Sequence, residues 1–448
     1  MKLRRKIIGL LGDDKGGGWH QSISPTTLAK LDSISATTLR VYCCAVSRDA
    51  RKCLLLRSQA RCKEKPRPYY RRNKYDARHR IVGAGLAPAL LLILALLLSS
   101  CGFPGVVSTS AQLPAANLSP TTTPLPPVRF PQDEAAHRDL TEWWYYTGHL
   151  NATMPGGKVH HYGFELVFFQ ALRGDLPPVY AAHFAISDIT RGEFHFDQRR
   201  LTEPNAVIPD GTSTSGINVQ INDWSIKGVN GSDHLVAKLN NYALQINLNG
   251  LKPATLHNGN GLITYGLGGF SYYYSRTHMS LSGMLVDHNQ PLQVSGEAWM
   301  DHQWGNFLTF NGGGWDWFSI QLNDNTEMML YLIRDASGKT ISTYIGYIGP
   351  QARGFLLPAS ALNVTVLSHW RSSVTGANYP SGWRLEINDP KLQASLILVP
   401  ELKDQELVVY QSTGNSYWEG AVSIQGQSAG QVVQGEGYVE LTGYAHLS

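Results

Sequence analysis

The segment Trp299-Met300-Asp301-His302-Gln303-Trp304-Gly305-Asn306 places a carboxylate, an imidazole and two indoles within six residues. A carboxyl or imidazole held near neutrality can donate a proton, and an indole face can stabilise the positive charge that results. That combination suits acid-assisted addition of water to a double bond in an apolar molecule, with His302 or Asp301 as the acid and Trp304 as the cation-stabilising wall. Side chains alternate faces along a strand, so His302 and Trp304 point one way and Asp301 the other. In a barrel wide enough for one ligand, His302 would reach an apolar cavity beside Trp304. The competing reading of the segment is a bulky piece of core, with Asp301 orienting His302 or closing a turn.

A second polar set lies upstream. Glu165 sits in Tyr162–Phe169 and His183 in Ala181–Ile186, both inside apolar runs. A buried carboxylate or imidazole is costly unless partnered, which suggests that these two pair with one another or with Arg276. For His183 a satisfied structural histidine is the alternative. In Glu142-Trp143-Trp144-Tyr145-Tyr146, alternation puts Trp143 and Tyr145 on one face and Trp144 and Tyr146 on the other, so at most half can line a lumen. Trp144, Tyr146, Glu165, His183, Arg276 and Tyr331 are the candidate substrate-binding residues. No metal or cofactor is expected. His160 and His161 are adjacent and face opposite sides of a strand, and no Gly-x-Ser-x-Gly elbow is present. Gly266-Leu267-Gly268-Gly269 lacks the spacing of a dinucleotide loop.

The elements that must position these residues read as strands. From about Phe130 to Ser448, short runs rich in Val, Ile, Tyr, Phe and Thr recur between Gly, Asn, Asp and Pro. Examples are Val159–Phe169, Val179–Ile186, Gly216–Ile226, His234–Asn247, Gly269–Ser275, Met279–Val286, Trp317–Leu322 and Met328–Arg334. About 320 residues of all-β meander exceed one small barrel and suit two. Gly305–Gly314 is the expected joint, which gives an N-terminal domain over 130–308 and a C-terminal one over 309–448.

The rest of the chain is unlike this. Residues 1–80 hold 20 of the 38 Lys and Arg but 6 of the 34 Asp and Glu, so residues 81–448 carry a formal charge of −10. The net +4 therefore belongs to an N-terminal arm, and nucleic acid is not an expected partner. That arm (1–80) reads as disordered or as translation from a start placed too early. All five cysteines lie at or before Cys101, which excludes a disulfide framework in the folded part. Arg78-His79-Arg80, the apolar run Ala84–Leu98 and Leu98-Ser99-Ser100-Cys101 form the pattern of a bacterial lipoprotein signal over 81–100, with Cys101 lipidated. A transmembrane anchor is the alternative. Residues 101–129, dense in Pro, Ser and Thr, read as a tether that would hold the folded part off the extracytoplasmic face of the membrane.

Five segments carry a family resemblance: Glu142–Leu150, Ala182–Asp188, Ser271–Arg276, Gly296–Asn306 and Trp315–Leu322. In this order they resemble the carotenoid 1,2-hydratases and AttH-like secreted hydrolases, over about 130–448. The resemblance implies two lipocalin-like antiparallel β-barrels packed together. It also matches the hydratases' His-x-Trp pair to His302-Gln303-Trp304. Their downstream Tyr-x-Asp pair falls on Tyr331-Leu332-Ile333, with Ile in place of the acid and Asp335 as a displaced substitute. The expected function is binding of an isoprenoid or lipid-like molecule with hydratase-type chemistry. A non-catalytic carrier and a secreted hydrolase are the alternatives.

Overall fold

The computed structural model describes residues 125–201, 216–264, 269–307 and 313–445. The arm over 1–80, the signal over 81–100, Cys101 and most of the tether lie outside them, as do residues 308–312 of the expected joint.

The described chain is nearly all strand, and the first sheet begins with β1 (Thr141–Thr153), β2 (Val159–Arg173), β3 (Leu176–Asp188) and β4 (Glu193–Leu201). It continues through β5 (Ile217–Ile221), β6 (Trp224–Val229), β7 (Ser232–Lys238) and β8 (Tyr242–Gly250). After the short β9 (Thr255–Leu256) and β10 (Leu262–Thr264) come the long β11 (Gly269–Asp287) and β12 (Gln290–Phe307). The order across the sheet is β4-β3-β2-β1-β12-β11-β8-β7-β6-β5, antiparallel between neighbours. The last strand thus returns to pair with the first, and β5 comes back against β3 and β4. This is a meander curled into a near-closed barrel.

The second sheet repeats that plan. Its first four strands are β13 (Gly314–Leu322), β14 (Thr326–Arg334), β15 (Thr340–Ile348) and β16 (Gly354–Leu356), followed by β17 (Leu362–Val366). A small hairpin of β18 (His369–Arg371) and β19 (Asn378–Pro380) leads to β20 (Trp383–Asp389) and β21 (Leu392–Pro400). The chain ends in β22 (Glu406–Val408), β23 (Ser416–Ser428) and β24 (Gln431–Thr442). The order is β16-β15-β14-β13-β24-β23-β21-β20-β17, and here too the last strand closes on the first. The expected double lipocalin-like architecture is the one found.

Three strand expectations change. Gly216–Ile226 and His234–Asn247 each contain a turn rather than running straight. Asn222 adopts φ 55° between β5 and β6, a left-handed conformation that Asn tolerates, and Asn240–Asn241 breaks the second run. Gly269–Ser275 and Met279–Val286 instead fuse into β11, with a register shift between Arg276 and Met279.

Each barrel has its own core. In the first, Trp144, Tyr146, Phe164, Leu166, Met300 and Trp304 are among the buried members. Opposite faces of the same strands form a third apolar layer between the barrels, where Tyr145, Val167, Tyr273 and Trp299 meet Trp317, Met329, Tyr331, Ala421 and Tyr438. Gly163 on β2 allows this approach. A Cβ there would lie 2.3 Å from the Tyr438 hydroxyl and 2.9 Å from the Ala421 Cβ.

Candidate functional site

Register fixes which side chains share a face. Across β1 and β12, Tyr145 is opposite Asp301, Trp144 opposite His302 and Trp143 opposite Gln303. The face carrying Trp143, Tyr145, Asp301 and Gln303 turns away from the first barrel's interior and towards the second barrel. There it borders a cavity whose water-accessible part is about 50 Å³, on the order of three or four waters, within a concavity of about 640 Å³ that includes open solvent. Strands β2 and β3 add Glu165, Phe169 and His183, and β11 adds Tyr273. From the second barrel come Trp315 and Trp317 on β13, Tyr331 on β14, Tyr417 on β23 and Glu440 on β24. Trp143 and Trp315 are partly exposed, and the polar groups deeper in are enclosed.

Asp301 is 2% exposed. Its Oδ1 accepts from Trp299 Nε1 at 2.7 Å and from the Ser275 hydroxyl, and its Oδ2 accepts from the Tyr273 hydroxyl. Tyr273 is itself held by Trp317 Nε1 of the second barrel at 3.1 Å, and Ser275 lies 2.6 Å from His257 Nε2. Burial pushes the carboxyl up to about 7 against the pull of these three donors. Around neutral pH Asp301 is therefore divided between acid and carboxylate.

Glu165 and His183 are brought together as expected, through a residue that is not local to either. The Tyr417 hydroxyl donates to Glu165 Oε1 at 2.8 Å and lies 2.7 Å from His183 Nδ1. His183 Nε2 lies 2.9 Å from the Ser412 hydroxyl, and burial lowers the ring to about 3, so it is neutral. Burial raises Glu165 to about 8, with Tyr417 opposing and Glu440 adding repulsion. Its Oε2 is buried without a hydrogen-bond partner. Glu440, which accepts from Trp315 Nε1 at 2.9 Å, is raised to about 7 by burial and by Asp301. Arg276 takes no part in this set. It pairs with Glu134 at 2.6 Å on the first barrel's inner side.

The inner face holds the remaining candidates. His302 has no exposed surface; its Nε2 lies 2.8 Å from Glu142 Oε1 and its Nδ1 3.3 Å from the Tyr274 hydroxyl. Its ring stacks on Trp144 at 5.0 Å and tilts against Trp304 at 4.6 Å. His302 and Trp304 do share a face, as alternation requires, but that face is packed core rather than the wall of the interbarrel cavity. A concavity beside Trp144 has no room for a water. Tyr146 donates to Asp233 at 2.9 Å in the same core. His137, stacked flat on Trp304 at 4.2 Å, places its Nδ1 2.8 Å from Glu142 Oε1. Burial opposes its charge, yet Asp133 and Glu142 raise it to about 9.

His137, Glu142 and His302 offer atoms within 4.8 Å of one another, close enough to surround an ion. Both rings already contact the same Glu142 oxygen, so the three form a closed hydrogen-bonded group. Asp335 is not a displaced partner for Tyr331. It lies past the end of β14, where its carboxylate accepts the Ser337 and Lys339 amides at 2.9 and 3.1 Å and caps a turn.

Tyr273, Ser275, Gln303, Trp315, Trp317, Tyr417 and Glu440 belong to this site without being among the residues expected from sequence. Following Asp301's face rather than His302's would have found Trp143 and Tyr145. For Tyr417 and Glu440 no local signal exists.

A family model described as AttH-like matches residues 121–444. Among solved structures, the AttH protein of Nitrosomonas europaea is 30% identical, with 72% of this chain and 99% of that one covered and a TM-score of 0.63. Kievitone hydratase from Nectria haematococca shares the fold at 19% identity and a TM-score of 0.56, over 76% of this chain and 97% of that one. No curated protein matches the sequence. With the paired barrels, the Trp-x-Asp-His-x-Trp strand at their contact and a family match over most of its length, the chain belongs to the AttH-like family.

Proposed function

We propose that the interbarrel cavity binds a small apolar molecule and that Asp301 protonates a carbon–carbon double bond in it, so that water adds across the bond. The observation that carries this reading is Asp301 itself, an enclosed carboxyl held near pKa 7 at the wall of an aromatic cavity. A general acid works best with a pKa near the working pH. In the cycle, Asp301 gives its proton to one alkene carbon and becomes a carboxylate. The other carbon becomes a cation facing indole and phenol rings. Water bonds to that carbon through oxygen and releases a proton, which restores Asp301. Membership of the AttH-like family and a fold neighbour that is a hydratase by name support the reaction class.

Of the two acids the sequence offers, His302 and Asp301, the proposal takes Asp301. A carrier of a neutral apolar molecule would have no use for a buried carboxyl that ionises near neutrality. Such a carboxyl makes the cavity harder to dehydrate without making it more apolar. The Leu98-Ser99-Ser100-Cys101 ending supports a further part of the proposal, that lipidated Cys101 carries the folded barrels on the outer face of a bacterial membrane.

The test begins with extraction and mass spectrometry of whatever co-purifies from native membranes. The ligand is then incubated with wild type and with Asp301→Asn. The variant should bind the ligand and convert it roughly 10²–10⁴-fold more slowly. Conversion at the wild-type rate in Asp301→Asn would overturn the assignment.

A further inference from the structure

The cavity holds more carboxyl groups than one acid needs. Among the described residues that line it, Glu165, Asp301 and Glu440 are carboxyls and none is Lys or Arg. Its one histidine, His183, is neutral. Glu419 lies just behind, accepting from the Tyr145 hydroxyl at 2.7 Å, and its Oε2 is also buried without a partner. Burial and the nearby Glu165 and Glu440 together hold Glu419 well above the usual carboxylate range.

The three lining carboxyls are not equivalent. Asp301 already accepts from Ser275, Trp299 and Tyr273. Glu165 has one oxygen fixed by Tyr417 and the other, Oε2, unpaired in a residue 1% exposed. A buried acceptor without a donor is costly, and the deficit disappears when a ligand supplies the donor. The same cavity is lined by Trp143, Tyr145, Trp315, Trp317 and Tyr331, whose π-faces attract cations. Carboxyl oxygens without cationic partners, inside a box of indoles and phenols, are the arrangement that recognises an ammonium group.

We infer that the cavity takes a ligand bearing a protonated amine, seated on Glu165 Oε2 and enclosed by the indoles and phenols of both barrels. The inference rests on the interbarrel cavity being the ligand site, and it names the substrate class: an apolar molecule with one cationic nitrogen, its double bond lying towards Asp301. Tyr417 then serves as a positioning residue, since its hydroxyl fixes Glu165 Oε1 and leaves Oε2 to the ligand.

The test uses phenethylammonium and its neutral counterparts propylbenzene and 2-phenylethanol, titrated into the intact protein by calorimetry at about pH 8.5, where the amine stays charged. Phenethylammonium should bind at least tenfold more tightly than either neutral compound. Glu165→Gln, which keeps the shape and the Tyr417 contact, should erase that preference while propylbenzene binding stays within about twofold. Equal affinity for the three compounds, binding of none at millimolar concentration, or a preference that survives in Glu165→Gln overturns the inference. Should Glu165→Gln unfold, Tyr417→Phe gives the second reading: the preference must fall at least threefold, and an unchanged preference counts against the proposal. A cavity that takes neutral ligands alone, and converts one in an Asp301-dependent way, would overturn the cation site and leave the hydratase reading standing. Cation preference with conversion unaffected by Asp301→Asn would do the reverse.

Discussion

Asp301 and His302 are consecutive in the chain and serve different compartments. Asp301 faces the cavity between the barrels and His302 faces the packed interior of the first. If Asp301 is the proton donor, the rate of water addition is set by its protonated fraction. That fraction, and the rate with it, should fall as pH rises through about 7, which a pH–rate profile on wild type checks. An activity that instead grew across this range would require a base in its place. For His302 the expected penalty is in stability. His302→Ala removes a partner of the fully buried Glu142, which should cost on the order of 3 kcal/mol in denaturant unfolding. A His302→Ala protein of wild-type stability would show that Glu142 is satisfied without the imidazole.

At the scale of elements, pairing of β1 with β12 does most of the positioning. It aligns Tyr145 with Asp301 and Trp143 with Gln303, and β11 on the other side brings Ser275 against Asp301 and Tyr273 against Gln303. Period-two alternation was legible in the sequence and gave these faces correctly. It could not say which face met a cavity, because both faces of these strands are buried and both are aromatic. Hairpin turns were legible only in part, since Asn222-Asp223 has the chemistry of a turn but sits inside an apolar run. Gly163 on β2 shows how an element admits its neighbour. Gly163→Val would drive a side chain against Tyr438 and Ala421, overpacking the contact at roughly 1–3 kcal/mol and loosening the cavity beside it. Thermal unfolding and near-ultraviolet circular dichroism of the interface tyrosines measure this. Unchanged values would mean that the barrels pack less closely at β2 than the structure indicates.

At the largest scale, the described residues form two similar, nearly closed meanders joined through polar groups as well as apolar ones. Lys252 reaches Glu327 at 2.7 Å across the contact, and His278 bridges Glu327 and Glu297 at 3.1 Å each. Glu297 and Glu327 raise His278 to about 9, so its contribution is complete below pH 6.5 and lost as pH rises through about 9. Asp301 and Glu440 at about 7 and Glu165 at about 8 act in the same direction. Each holds its proton more tightly folded than unfolded, and folding weakens as pH rises past the unfolded value towards the folded one. The buried, neutral His183 and His257 work oppositely, but their effect is complete by about pH 6.5. Asp301 and Glu440 have lost their contribution by about pH 7, so from pH 7 to 9 the thermal midpoint should decline through Glu165 and His278. A midpoint that rises over that interval would contradict the protonation states assigned to the interface.

By itself the sequence determined the all-β class, the pairing of two barrels, the AttH-like membership and the face relations around Asp301. These depend on residue type, spacing and period, which are local properties. The position of the cavity depends on tertiary packing, because half of its wall comes from a barrel that begins after the last residue of β12. That packing brings Tyr417 to Glu165 across 252 positions and Glu419 to Tyr145 across 274, contacts that no spacing rule encodes. The same packing gives Asp301 its proton affinity, since desolvation by two barrels, rather than the identity of its neighbours in sequence, raises a carboxyl to about 7.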